Sequence, residues 1–308
     1  MSEGPARRGR LRAPDWKARA DAWILAARPR TLHAAAAPVF VGGGLAWADD
    51  AFRLLPFAAV FAGGLLIQVG TNLANDYSDY MRGADTEDRV GTPRAVQAGL
   101  IAPAAMRRGS AATFGLATLL GVYLVSVGGW PVVAIGLASI VAGIAYTGGP
   151  WPYGYRGLGD LAVFLFFGLV ATGGTYWVLA LGLRPGVLVA GCAVGALNTS
   201  ILVINNLRDR GTDESAGKRT LAVVLGEPGS RVEYTVLLFG AAAGTAAGVA
   251  GGLLPRGALV ALPAFATLVA PLRTVWSFED PRALNAVLAA TARATGVYGA
   301  LFALGCLL

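Results

Sequence analysis

The sequence predicts an all-α integral membrane protein, nine transmembrane helices around a central cavity with a cap of loops on the cytoplasmic side. Three observations predict it. Residues of the set AVILMFWYC make up 55 % of the 308-residue chain and charged residues only 14 %, where roughly 25 % charge is usual for soluble domains. A soluble fold of that composition lacks the polar side chains to cover its surface. Uncharged runs long enough for a bilayer recur along the whole chain, and a spanning helix needs roughly 20 apolar residues. The basic residues are also distributed unevenly between the two sets of connecting segments.

Taken in order, residues 1–22 read as a flexible, basic cytoplasmic arm and residues 23–308 as a single nine-helix domain. The spans expected are 31–48, 53–76, 105–127, 131–147, 160–182, 186–207, 233–253, 257–273 and 284–307. The third and fourth come from one uncharged run, 109–155, too long for one helix. It is divided at Gly128-Gly129-Trp130-Pro131, a turn signal. The last span is interrupted by Arg293 alone. Alternate connections then fall on two sides. One side, which includes the N-terminus, holds 22 of the 25 Lys and Arg; the other holds Arg53, Arg184 and Arg256. The positive-inside rule places the N-terminus in the cytoplasm and the C-terminus outside. The net charge of +7 therefore needs no nucleic-acid partner. Two cysteines, Cys192 and Cys306, form no CxxC pattern, and the single His33 excludes a multi-histidine metal site.

Of the 18 acidic residues, all but Asp49 and Asp50 lie on the basic side. Two segments stand out, each at the cytoplasmic end of an even-numbered span. The first runs from Asn72 through Asn75, Asp76 and Asp79 to Asp85, and the second from Asn205 through Asp209 to Asp213. At 100° per residue, Asn72, Asp76 and Asp79 share one helix face, as do Asn206, Asp209 and Asp213. Asn75-x3-Asp79 and Asn205-x3-Asp209 repeat at an offset of 130 residues. Carboxylates at the end of an apolar helix are costly unless paired or metal-bound. Two oxygen-only faces suit Mg²⁺, which takes one or two carboxylates and completes its shell with water and phosphate. Arg82, Arg89, Arg94, Lys218 and Arg219 lie close by in sequence. The combination reads as a diphosphate site. A cation transporter is the competing class, but its acids would be expected near the midplane and not at one face.

At these residues the sequence resembles the UbiA superfamily of intramembrane prenyltransferases, through Asn75-Asp76-x-x-Asp79, extended to Asp85, and Asp209-x3-Asp213. Within it the chain is most similar to the MenA type, the 1,4-dihydroxy-2-naphthoate polyprenyltransferases. Arg28-Pro-Arg-Thr31, Asn72–Tyr77, Tyr153–Asp160, Asn205–Asp209 and Gly217–Leu221 carry that likeness. The resemblance implies transfer of a polyprenyl group from an allylic polyprenyl diphosphate to 1,4-dihydroxy-2-naphthoate, with loss of CO₂ and diphosphate, giving a demethylmenaquinol in menaquinone biosynthesis. Transfer to a 4-hydroxybenzoate-like acceptor is the nearest alternative. It implies Mg²⁺ held by Asn75, Asp76, Asp79, Asp85, Asn205, Asp209 and Asp213. Asp79, Asp209 and Lys218 are implied as catalytic, and Arg82, Arg89, Arg156 and Lys218 as diphosphate contacts. For the aromatic substrate it leaves Arg30, Gln68, Asn72 and Tyr146. The enzyme would sit in the cell membrane with the lipid bilayer and its two small-molecule substrates as partners.

Overall fold

A computed structural model describes residues 16–84 and 90–308. Asp85, Arg89 and residues 1–15 of the basic arm lie outside the described residues. Among the described residues the regular elements are all helical: α1 (Trp16–Ala27), α2 (Leu32–Ala48), α3 (Leu54–Met81), α4 (Pro103–Gly128), α5 (Trp130–Ala145), α6 (Gly159–Ala180), α7 (Pro185–Ser215), α8 (Leu221–Ala250), α9 (Arg256–Ser277, 3₁₀ over Arg256–Leu268) and α10 (Leu284–Cys306).

The nine expected spans correspond to α2 to α10, but α8 begins at Leu221, 12 residues before the expected 233, and kinks at Gly226, whose φ is 67°. Among the described residues, 8 helices are long and apolar enough to cross a membrane. The expected fourth span is not among them: α5 has 16 residues, about 24 Å at 1.5 Å per residue, short of the roughly 30 Å of bilayer hydrocarbon, and α2, with 17 residues, is counted only together with α1, as Lys17–Ala48. The break between α4 and α5 falls at Gly129, whose φ of 73° is a conformation that a side chain would strain. Pro131 then opens α5.

The helix α1 begins inside the stretch expected to be a flexible arm. Ala22 and Ala26, one turn apart on the same face, pack against Leu73 of α3 and against Ala95, Val96, Ile101 and Met106. That apolar contact docks α1 on the folded body through Ala22 and Ala26, while residues 17–21 stay exposed.

The centre of the bundle is α7, the most buried of the spans. Its Val187, Val194, Leu197 and Ile204 form one core with Val41 and Leu45 of α2, Leu238 of α8 and Phe302 of α10. Buried hydroxyls pair across helices, Tyr234 with Thr291 at 2.8 Å and Thr245 with Tyr298 at 2.7 Å, which satisfies groups that lipid cannot. Small residues set the closest approaches. A Cβ on Gly257 would lie 1.8 Å from the Gly305 carbonyl oxygen, so α9 and α10 touch backbone to backbone. In α6 a π-helical turn, Phe164–Val170, carries Gly168 against Gly191 and Gly195 of α7. At the acid-poor end, Asp49 accepts hydrogen bonds from Tyr176 and from Arg184, both at 2.6 Å, and Arg184 also donates to the Leu253 carbonyl at 2.8 Å. The few charges there tie three connections together.

Candidate active site

With 28 and 31 residues, α3 and α7 are about 42 and 46 Å long and overrun a bilayer of about 30 Å. Their C-terminal turns carry the two acid segments as continuous helix. The two helices scarcely touch. Both line a cavity of about 730 Å³ whose apolar length is walled by Val39, Val60, Leu124, Val132, Phe166 and Val170 and whose polar end carries the acids.

At that end Asp79 is 1 % exposed. Its Oδ2 accepts from Arg94 Nη2 at 2.9 Å, and its Oδ1 accepts from the Tyr155 hydroxyl at 2.6 Å. Lys218 Nζ stands 4.0 Å from Asp79 Oδ1 and 3.6 Å from Asp213 Oδ1, so one ammonium bridges the two acid segments. The same ammonium lies 4.7 Å from the centre of the Tyr155 ring, a cation–π distance. The backbone places it: Gly217, at φ 74°, turns the chain so that the Lys218 amide donates to the Asp213 carbonyl at 2.8 Å. The next amide, Arg219, donates to the Tyr155 carbonyl at 2.9 Å, joining the loop after α7 to the loop after α5.

On α7, Asp209 lies at the cavity, but both of its oxygens accept from the neighbouring Arg208, at 2.8 and 2.6 Å. Arg208 also donates to Asn205 Oδ1 at 3.0 Å and to Asn285 Oδ1 at 3.1 Å. Asn75, Asn205 and Asp213 line the cavity as well, and Asn75 Oδ1 accepts from the Thr147 hydroxyl at 2.9 Å.

Asp76 faces elsewhere. Its oxygens accept from the backbone amides of Ala95 at 3.0 Å and Val96 at 3.3 Å, and it is absent from the cavity lining. The cavity-facing stripe of α3 runs through Gln68, Asn72, Asn75 and Asp79, and at 100° per residue Asp76 sits on its edge, beyond Asn72 and away from Asn75. Face arithmetic groups it with Asp79, whereas packing turns it to the loop.

The expected phosphate contacts divide in the same way. Arg82 donates to the carbonyls of Thr147, at 3.0 Å, and Gly149, and Arg156 stacks 5.0 Å from the Trp151 ring. Neither lines the cavity; both brace the loop after α5. Of the acceptor residues, Arg30, Gln68, Asn72 and Tyr146 all line the cavity. Asn72 Nδ2 donates to the Ala27 carbonyl and to Thr31 Oγ1, both at 2.9 Å, which ties α3 to the entry of α2. Tyr146 stacks edge-on against Tyr153 at 5.4 Å, and burial pushes the Tyr153 hydroxyl up to about 12. The groups not singled out from sequence are Arg208 and Asn198. Arg94, noted from sequence as a basic residue near the acids, and Tyr155, within the Tyr153–Asp160 stretch, find their common partner Asp79 only in the folded chain.

The donor set is oxygen alone. Among the described residues, no three Asp, Glu, His or Cys converge as a ready-made metal cage. That fits an ion that uses one or two carboxylates and takes its remaining ligands from a substrate phosphate, as Mg²⁺ does. It does not fit a structural zinc site.

The model of the UbiA prenyltransferase family matches residues 35–302. The chain is 38 % identical over 294 residues to the 1,4-dihydroxy-2-naphthoate octaprenyltransferase of Escherichia coli, covering 93 % of this chain and 95 % of that one. It is 43 % identical over 217 residues to the enzyme of the same name from Mycobacterium tuberculosis, covering 70 % and 74 %. Among solved structures, a UbiA homologue from Archaeoglobus fulgidus bound to GPP and Mg²⁺ superposes with a TM-score of 0.63 at 14 % identity, over 91 % of this chain and 99 % of that one. The apo structure of a UbiA homologue from Aeropyrum pernix K1 gives 0.65 at 17 %, over 85 % and 96 %.

Proposed function

We propose, from the premise that this chain belongs to the UbiA prenyltransferase family, that it transfers a polyprenyl group from an allylic polyprenyl diphosphate to 1,4-dihydroxy-2-naphthoate. The allylic C–O bond breaks and the new C–C bond forms at the ring carbon that bears the carboxylate. Diphosphate and CO₂ leave, and the product is a demethylmenaquinol, a step of menaquinone biosynthesis. The protein is an integral, multi-pass membrane protein. In this reading its N-terminus is cytoplasmic, its C-terminus is outside and residues 23–308 act as one domain.

The observation that carries the reading is the polar end of the cavity. There Lys218 lies between Asp79 and Asp213 with Arg94 beside them, over an apolar chamber of about 730 Å³. Asp79, Asp209 and Asp213, with Asn75 and Asn205, would hold Mg²⁺ ions, with one or two carboxylates to each and substrate phosphate completing the shell. When bound, the ions neutralise charge on the diphosphate as it leaves. Lys218 and Arg94 exchange part of their contact with the acids for the diphosphate oxygens, which gain negative charge as the bond breaks. Tyr155 holds Asp79 and Lys218 in register through one hydroxyl and one ring face. The apolar walls keep water from the allylic cation. Arg28 and Arg30, at the entry of α2, supply positive charge for the acceptor carboxylate. The choice of acceptor rests on the identity to the naphthoate enzymes.

The test is to incubate membranes containing the protein with a labelled prenyl diphosphate, Mg²⁺ and a panel of aromatic acceptors. Prenylated product and released CO₂ are expected with 1,4-dihydroxy-2-naphthoate. Prenylation of 4-hydroxybenzoate alone would overturn the assignment.

A further inference from the structure

Two amide side chains inside the cavity each present a buried oxygen without a partner. Gln68 on α3 is 8 % exposed and Asn198 on α7 is 2 % exposed. Both line the cavity, and among the described residues neither Gln68 Oε1 nor Asn198 Oδ1 has a hydrogen-bond partner. Buried acceptors are rarely left so.

Their orientation is determined by what the nitrogens face. Asn198 Nδ2 donates to two backbone carbonyls, Ala34 at 3.2 Å and Phe167 at 3.5 Å. Turning the amide over would set oxygen against oxygen. Gln68 Nε2 donates to Asn72 Oδ1 at 3.3 Å and to Thr31 Oγ1 at 3.2 Å. Thr31 spends its own hydrogen on the Arg28 carbonyl at 2.9 Å, so its oxygen serves as an acceptor there. In both amides the nitrogen is engaged and the oxygen is the free end.

The two residues are also equivalent by position. They are separated by 130 residues, the same offset that relates Asn75 to Asn205 and Asp79 to Asp209. Each stands 11 residues before its acid, about 16 Å deeper at 1.5 Å per residue. Both grip the first turn of α2, through Thr31 and Ala34.

We propose that Gln68 and Asn198 form an amide pair that accepts hydrogen bonds from the ring hydroxyls of the aromatic acceptor, and thereby select a dihydroxy ring. A prenyl chain has no hydrogen to donate, so within this cavity the acceptor is the substrate that supplies donors. Two hydroxyls match two acceptor oxygens. The inference rests on the prenyl-transfer reading above and adds the specificity element to it.

The experiment uses the full-length protein in lipid nanodiscs with Mg²⁺. It compares wild type, Gln68→Met and Asn198→Leu in three readouts: acceptor KM, binding of prenyl diphosphate without acceptor, and inhibition by the 1,4-dimethoxy analogue of the acceptor. In wild type the dimethoxy analogue is expected to bind about 10-fold more weakly than the dihydroxy acceptor, the scale of one or two neutral hydrogen bonds. Each variant should raise acceptor KM about 10-fold, leave diphosphate binding within about twofold, and lessen the discrimination against the methoxy analogue, since hydroxyl-reading sites discriminate through the groups left unpaired. Equal binding of the two analogues by wild type overturns the proposal even if a variant fails to fold. An unchanged acceptor KM in both variants, with diphosphate binding intact, overturns it as well. Failure of wild type to prenylate dihydroxynaphthoate while it accepts another phenol would defeat the functional reading instead. The hydroxyl–methoxy comparison on that phenol then decides the amide pair.

Discussion

Replacing Lys218 by Ala tests how the leaving group is stabilised. Its ammonium lies 3.6 Å from Asp213 Oδ1 and 4.0 Å from Asp79 Oδ1. At about 4 Å and an effective dielectric near 20, one charge pair is worth about 4 kcal/mol. A diphosphate reaching the same position gains that attraction most strongly as its charge builds. Loss of one preorganised donor of this kind typically costs about 10²- to 10³-fold in kcat. Lys218→Ala should therefore lower kcat about 100- to 1,000-fold, and KM for the prenyl diphosphate should rise by less than about 10-fold. The fold should persist, because Asp79 keeps Arg94 at 2.9 Å and Tyr155 at 2.6 Å. Steady-state kinetics with purified protein at saturating Mg²⁺, alongside a thermal melt, separate these effects. Lys218→Arg should recover part of kcat, since the charge returns with a different shape. If KM alone rises, the ammonium holds ground and transition states equally and the reasoning is wrong. If neither constant moves, the lysine serves only its neighbouring acids.

Asp79→Ala and Asp209→Ala should each abolish turnover with the protein still folded, and EDTA should silence wild type until Mg²⁺ is restored; near-normal turnover by either variant would refute the assigned site. Asp76→Ala should act on stability instead. It strips the acceptors from the Ala95 and Val96 amides, costing roughly 2–3 kcal/mol, with kcat within about 10-fold of wild type below the melting temperature. Gly257→Ala should lower the melting temperature without a selective effect on either KM. Its Cβ would meet the Gly305 carbonyl at 1.8 Å, and overpacking of this kind typically costs about 1–3 kcal/mol.

The nine apolar stretches were legible in the amino-acid sequence because the bilayer imposes a length and a composition on every crossing element. The acids were legible for the same reason: a carboxylate beside an apolar helix needs an explanation. Their spacing established which residues share a side of α3 and α7. What spacing leaves open is how far each helix is rotated about its own axis. The packing of α3 against its neighbours decided that rotation, turning Asn75 and Asp79 into the cavity and Asp76 to the Ala95 and Val96 amides. Loop closure was equally beyond the pattern. Arg82 and Arg94 are both arginines in the segment after the first acids, yet Arg94 meets Asp79 while Arg82 binds carbonyls of the next loop. The docking of α1 through Ala22 and Ala26, the reach of Arg208 to Asn285, and the free oxygens of Gln68 and Asn198 likewise arise where separate segments meet. Local sequence dictates periodicity and polarity, whereas the partners of a side chain depend on residues that the chain brings alongside only when it folds.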